Sequence, residues 1–201
     1  MKRPALFAAT IIAALSFAAA VPFLDEPQAP PPDHLTADSV IVEKSMHRMS
    51  LVKDGQLLRT YRVALGRGGP EAKSREGDAR TPEGTYVIDR RNPRSCCHLA
   101  LHVSYPSAAD VGAACARGVS AGSDIEIHGL RNGLGWLGRL HRDMDWTSGC
   151  IAATDSEMEE IWRLVPDGTP IVIKHWPAAL TTRAVGAAMR RQWLEPAAAL
   201  Q

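Results

Sequence analysis

The chain of 201 residues has room for one domain with a proper core and little more. Its 23 Lys and Arg against 22 Asp and Glu leave a formal charge of +1, which argues against a nucleic-acid footprint or an acidic-surface partner. The hydrophobic share of 45% is inflated by the N-terminus and an Ala-rich tail.

Lys2 and Arg3 precede an uncharged apolar run over residues 5–20 that closes on Ala18-Ala19-Ala20, an A-x-A cleavage pattern. Residues 1–20 are therefore expected to be a secretory signal peptide, the alternative being a retained membrane anchor, for which the run is short. Residues 21–36 form a Pro-rich linker; "DEPQAPPPDH" carries four prolines in ten residues and cannot join a core. The folded domain is expected over 37–176.

From Ser39 the pattern is that of strands. "SVIVEK", "HRMSLVKDGQLLRTYRVALG" and "GTYVID" are β-branched or alternating, and Asp54-Gly55 marks a two-residue hairpin turn. Residues 68–86, rich in Gly and Pro, predict a long loop, in which Asp78 reads as structural and Tyr86 as packing. Residues 106–118 have the alanine content of a helix. "SDIEIHG" alternates Ile125 and Ile127 against Glu126 and His128, a core strand with His128 at its end on the opposite face. Past Cys150, Thr154 and Glu157 form a capping box, and Met158, Ile161, Trp162 and Val165 follow helical spacing. Pro166-Asp167-Gly168-Thr169 stops that helix, and "PIVIKHW" is a further strand. Residues 177–201 are a C-terminal tail, either a short helix or mobile. Strands dominate, so the fold class is mainly β (α+β).

Four cysteines, Cys96, Cys97, Cys115 and Cys150, allow three pairings into two disulfides. Cys96 and Cys97 are poor partners for each other, because neighbouring Cα atoms sit too close for relaxed bridge geometry; a bond from either to Cys115 is conceivable. Cys150 differs from the rest. Gly149 removes bulk before it, and the chain turns there from loop towards helix, which exposes a sulfur and aims successive N–H groups at one point. A thiol needs a base beside it. His128, followed by Gly129, is favoured for that role over His141, which lies in a polar, flexible segment.

Taken together, "DIEIHG", "TSGCIAAT" and the upstream "GDARTPEGTYVI" resemble the L,D-transpeptidase catalytic domain, also called the YkuD domain. The family carries an H-G pair on a strand, an S/T-x-G-C turn and an upstream G-D…T-P-x-G-x-Y. Here these are His128-Gly129, Thr147-Ser148-Gly149-Cys150, and Gly77-Asp78 with Thr81-Pro82, Gly84 and Tyr86. Two departures stand out: Ser148 replaces the histidine of the common S-H-G-C turn, and the segment between His128 and Cys150 is longer. Both resemble an exported subgroup that includes murein endopeptidases able to release an envelope lipoprotein from the wall.

The resemblance implies a YkuD-like β-sandwich with a few short helices, one following the catalytic cysteine. It implies Cys150 as nucleophile on the meso-diaminopimelate carbonyl of peptidoglycan stem peptides, and His128 as proton acceptor and donor. The Gly129 carbonyl would orient His128, and the Gly149 and Cys150 amides would serve the oxyanion. Arg142, Arg131, His141, Ser148 and Trp146 are the candidates for binding substrate; Ser148 reads otherwise as a plain turn hydroxyl. Trp136 and Trp146 read either as cleft walls or as lids on a small core. No metal or organic cofactor is implied. The expected partners are stem peptides and an envelope lipoprotein, in the periplasm or cell envelope, with membrane contact only through an uncleaved N-terminus. A murein endopeptidase and an inactive wall-binding module are the alternatives; a thiol redox protein is disfavoured by the absence of C-x-x-C.

Overall fold

The computed structural model describes residue 32 and residues 34–175. The expected signal peptide, most of the linker and the C-terminal tail lie outside the described residues. Eight strands form one mixed sheet: β1 Ser39–Glu43, β2 Arg48–Lys53, β3 Gln56–Arg62, β4 Gly84–Ser95, β5 His98–Val103, β6 Ile125–His128, β7 Ile151–Ala152 and β8 Pro170–Lys174. Two α-helices, α1 Ala108–Cys115 and α2 Asp155–Leu164, and short 3-10 turns complete the described elements. The mixed sheet with few short helices is the class the strand-rich sequence predicts.

The sheet order is β3-β2-β1-β8-β4-β5-β6-β7, with β1–β8 and β6–β7 parallel and the other pairs antiparallel. Just past β3 the chain meets the far edge, where Ala64 and Ala152 exchange N–H···O bonds of 3.0 and 2.9 Å. That bridge joins the chain just past one edge strand to β7 at the other edge. The interior is apolar: Met49, Leu51, Ile88, Leu101, Ile127 and Ile151 are fully buried. α2 adds Met158, Ile161 and Leu164 to this core; of the positions its helical spacing marks, Met158, Ile161 and Val165 are buried and Trp162 is partly buried against them.

The Asp54-Gly55 turn forms as read, with both residues at positive φ. α1 also forms within the expected span, capped by Ser107 and Asp110. β4 is longer than the sequence implies. It runs through Pro93 to Ser95, and register shifts between Asn92 and Ser95 accommodate the missing N–H. Its partner β5 was not read from the sequence at all.

The loop before β4 is an ordered framework. Asp78 accepts from the N–H groups of Ser74 (2.7 Å), Arg75 (3.0 Å) and Arg80 (3.1 Å) and pairs with Lys73 at 2.9 Å. Burial pushes its carboxyl up, but these donors outweigh burial and hold it down at about 2. Lys44 Nζ donates to the carbonyls of Glu71 and Thr81, both at 3.0 Å, and to Glu83 at 2.8 Å. Tyr86 packs on Tyr105 and donates to the Glu83 carbonyl, in keeping with its packing role.

Candidate active site

His128 ends β6, paired with Ala100 of β5 on one side and Ala152 of β7 on the other. It is 5% exposed, and its Nδ1 lies 2.7 Å from the Gly129 carbonyl oxygen. A carbonyl only accepts, so Nδ1 carries the proton and Nε2 is left as the acceptor. Burial holds the imidazole below its ordinary pKa; the Gly129 carbonyl and the Glu126 charge oppose that only in part.

The peptide after His128 is clamped on both sides. Gly129 N–H donates to the carbonyls of Cys97 (3.0 Å) and Leu99 (3.2 Å), and Leu130 N–H donates to Asp155 Oδ1 at 2.7 Å. A side chain at 129 would lie 2.7 Å from Asp155 Oδ1 and 2.9 Å from His98 Cβ, so the H-G pair requires its glycine.

Thr147 shapes the cysteine turn. Its hydroxyl donates to the Cys150 carbonyl at 2.7 Å and accepts from Gly149 N–H at 3.1 Å. Its backbone bonds Leu65 and Arg67, which ties the turn to the chain beyond β3. Gly149 has φ +129°, and a Cβ there would sit 2.7 Å from the Arg80 carbonyl. The upstream loop thus presses directly on the turn.

These bonds revise one expectation. The Gly149 N–H is committed to Thr147 Oγ1, so of the two amides implied for the oxyanion it is not the open donor in this turn. The Cys150 N–H makes no backbone hydrogen bond among the described residues.

Cys150 is half-buried, and its sulfur makes its hydrogen bond to the Asp124 carbonyl at 3.6 Å rather than to His128. Burial pushes the thiol up to about 11; the Glu126 backbone opposes this, while the Glu126 and Asp124 charges add to it. With the thiol raised and the imidazole lowered, both groups rest neutral.

The candidate substrate contacts divide. Arg142, read as a cleft arginine for carboxylates, is instead buried, its side chain 1% exposed and ion-paired with Glu157 of α2. The pairing is favoured because Glu157 already closes the Thr154 capping box, at 3.0 Å from Thr154 N and 2.7 Å from its hydroxyl. Arg142 therefore anchors the long segment to the helix and does not face a ligand in this arrangement.

His141 is also buried, not in a flexible segment; its Nδ1 accepts from Trp146 Nε1 at 3.2 Å. Burial, with the Arg142 charge, drops its imidazole to about 4. Trp146 stands edge-on to both His141 and His128, at ring separations of 6.2 and 5.7 Å, so it walls the His128 ring. Ser148 is exposed and accepts from Arg67 Nη1 at 3.2 Å, a turn hydroxyl with a surface partner. Arg131 and Trp136 are exposed, Trp136 at 76%, as are Leu140 and Met144 of the same long segment.

Sequence reasoning marked the Thr147-Ser148-Gly149 turn but missed Asp155 and Glu157 as organisers of the site. The capping box announced the helix start, but not that its acidic residues reach the segments holding His128 and His141. Among the described residues, no group of three or more His, Cys, Asp and Glu is placed to hold a metal ion, and no helix is long and apolar enough to cross a membrane.

Comparison with known proteins identifies a family and a shared fold. The family profile described as the L,D-transpeptidase catalytic domain, YkuD, matches residues 37–173. The chain is 32% identical over 113 residues to "Putative L,D-transpeptidase YafK" of Escherichia coli K12, covering 55% of this chain and 38% of that protein. It thus spans well under half the length of this curated relative. Among solved structures, Bdellovibrio bacteriovorus Bd1075 is similar with a TM-score of 0.52 at 21% identity, over 84% of this chain and 59% of that one. The helical cell shape determining protein Pgp2 of Campylobacter jejuni, as its K307A mutant, has a TM-score of 0.52 at 21% identity, over 80% of this chain and 56% of that one. At these identities the two structures show a shared fold.

Proposed function

The chain belongs to the L,D-transpeptidase (YkuD) catalytic domain family, and on that premise we propose that it is a cysteine acyltransferase acting on peptidoglycan stem peptides at the meso-diaminopimelate carbonyl. The observation that carries the reading is the 2.7 Å bond from His128 Nδ1 to the Gly129 carbonyl, which leaves Nε2 as the base. A relative named as a putative L,D-transpeptidase supports the same chemistry.

In the proposed cycle the neutral Cys150 thiol yields its proton to His128 Nε2 as sulfur attacks the carbonyl. The Cys150 N–H supports the oxyanion. Collapse expels the leaving amine, which takes the proton back from His128, and leaves a thioester on Cys150. An amine then resolves it to give a crosslink or an attached lipoprotein; water gives hydrolysis instead. The site works in the periplasm or cell envelope, reached by the N-terminal signal.

A pH consequence follows from the neutral pair. The His128 pKa lies below 6.5 and the thiol stands at about 11. Turnover should rise through the lowered histidine pKa and then hold flat to beyond pH 9. A resting thiolate–imidazolium pair would instead give a bell centred near neutrality.

The test is incubation of the protein and its Cys150→Ala variant with disaccharide-tetrapeptides and, separately, lipoprotein-bearing sacculi, read by mass spectrometry. D-alanine release with dimers or amine exchange is the expected result. Lipoprotein release or free tripeptide ends without exchange would assign the endopeptidase instead. Wild type and variant indistinguishable on both substrates would leave a wall-binding module.

A further inference from the structure

The β4–β5 hairpin turns through Cys96 and Cys97, whose sulfurs lie 3.2 Å apart as free thiols. Cys96 is exposed and Cys97 half-buried. The carbonyls of this tip hold the chain that follows the catalytic histidine. Cys97 O accepts from Gly129 N–H at 3.0 Å, and Cys96 O accepts from Asn132 N–H at 2.9 Å. Asn132 returns a bond from Nδ2 to the Ser95 carbonyl at 3.1 Å and accepts from His98 N–H at 3.0 Å. Gly129 O in turn receives His128 Nδ1. The Cys97 carbonyl is therefore two hydrogen bonds from the imidazole.

A disulfide holds its sulfurs at about 2.05 Å, so closing this pair requires roughly 1 Å of approach. Neighbouring Cα atoms are about 3.8 Å apart, below the ~4.4–6.8 Å of relaxed bridges, so closure must turn the Cys96–Cys97 peptide, which carries the Cys96 carbonyl. With it turns the adjoining Cys97–His98 peptide, which carries the Cys97 carbonyl bonded to Gly129. Strained, exposed bridges are the readily reduced kind, suited to reversal rather than to stapling.

We propose that Cys96 and Cys97 are a reversible dithiol–disulfide modification site, whose closure displaces the Cys97 carbonyl from Gly129 and thereby misaligns His128. The oxidant class is a peroxide. The Cys96 sulfur attacks one peroxide oxygen, forming a sulfenic acid and releasing water. The Cys97 sulfur then attacks the sulfenic sulfur, and its proton leaves with the hydroxide as a second water. Two electrons pass from the two sulfurs to hydrogen peroxide, and a dithiol reductant returns them. Cys97 is the poorer first nucleophile, since burial and its neighbour Cys96 push its thiol up to about 12. Cys96 and Cys97 also lie within electrostatic range of Cys150.

That His128 is the base rests on the proposed function; the dithiol chemistry does not. The experiment uses the full chain with Cys115→Ser, so that the tryptic peptide carrying Cys96 and Cys97 has no third thiol. After graded hydrogen peroxide, that peptide should lose the mass of two hydrogens and regain it with dithiothreitol. Turnover per alkylatable Cys150 thiol should fall about tenfold or more with bridge formation, and Cys96→Ser should abolish this response while keeping basal turnover. In the same chain with Cys150→Ala, the His128 imidazole resonance, assigned by His128→Ala, should move on oxidation and return on reduction.

A pair that stays reduced while Cys150 oxidises would overturn the proposal. So would a bridge from either thiol to Cys150, or a Cys96–Cys97 bridge that moves neither turnover nor the His128 resonance. If the resonance moves reversibly while neither redox form turns over stem peptides, the modification site stands and the proposed function falls.

Discussion

The two α-helices begin with the same chemistry and serve different ends. Ser107 with Asp110 starts α1, and Thr154 with Glu157 starts α2, each a complete capping box. In both, the N3 carboxylate has a second task. Asp110 accepts the Tyr86 hydroxyl at 3.2 Å, and Glu157 pairs with buried Arg142. α1 buries only Ala114, whereas α2 buries Met158, Ile161 and Leu164. A cap signature locates a helix start, but the buried face decides whether that start is rigid enough to carry a site. The candidate site is gathered at the buried helix: Cys150 lies just before it, and Asp155 holds the peptide after His128.

The strongest way to break this comparison is to remove the second task. Glu157→Ala leaves Arg142 buried without its carboxylate, a loss expected at about 3–5 kcal/mol. Asp110→Ala removes the same half of its cap, the bonds from Ser107, but beyond the cap it strands a hydroxyl that also bonds the Glu83 carbonyl rather than a buried charge, and should cost about 1–2 kcal/mol. Urea unfolding of both variants checks the ratio; equal losses would mean that the helices are anchored alike.

Acid separates the two regions next. His141, on the α2 side, has a folded pKa of about 4 against an ordinary 6.5, so the unfolded chain takes up the proton first. Its contribution is full above 6.5 and is lost as pH falls to 4, about 3 kcal/mol in all. Asp78 lies in the loop that meets the chain after α1, where Arg117 donates to Ser74 O at 2.7 Å. Its folded pKa of about 2 lies below the ordinary 3.8, so its contribution is lost only below that value. Stability should therefore drop first below pH 6.5, where buried His128 adds to the loss, and His141→Gln should shrink that step while leaving the one due to Asp78 below pH 4. A single step near pH 3 in the wild type would show that the histidine side does not lead.

What the sequence made legible follows the same division. Local signals were readable: the Asp54-Gly55 turn, the alternation of Ile125 and Ile127, and both halves of the α2 cap are set by residues within a few positions of each other. The glycines of the H-G pair and the cysteine turn were readable as needing space, though not that Asp155 and Arg80 occupy it. The fate of Arg142 was not readable, because burial beside Glu157 is decided by how the long 130–146 segment folds back. Nor was the engagement of the Gly149 amide, which depends on the rotamer of Thr147. β5 escaped because "HLALHV" follows a Cys-Cys pair, which is no turn signal, and its partner strand contains a proline.

The finest test compares equal losses. Ser107→Ala and Thr154→Ala each remove one cap acceptor, and each should cost about 1 kcal/mol. Stability alone will not tell them apart. Turnover should, because Thr154 also receives one contact from Ser156, at 3.3 Å, and fixes the Glu157 carboxylate that holds the segment carrying His141 and Trp146. Loosening that carboxylate loosens the wall beside His128, whereas loosening Asp110 disturbs Tyr86 on the other side of the core. Thr154→Ala should lower kcat several-fold with KM little changed, and Ser107→Ala should leave both near wild type. If the two variants lose activity in step with stability and by the same factor, α2 positions nothing beyond itself, and the asymmetry between the helices is one of packing alone.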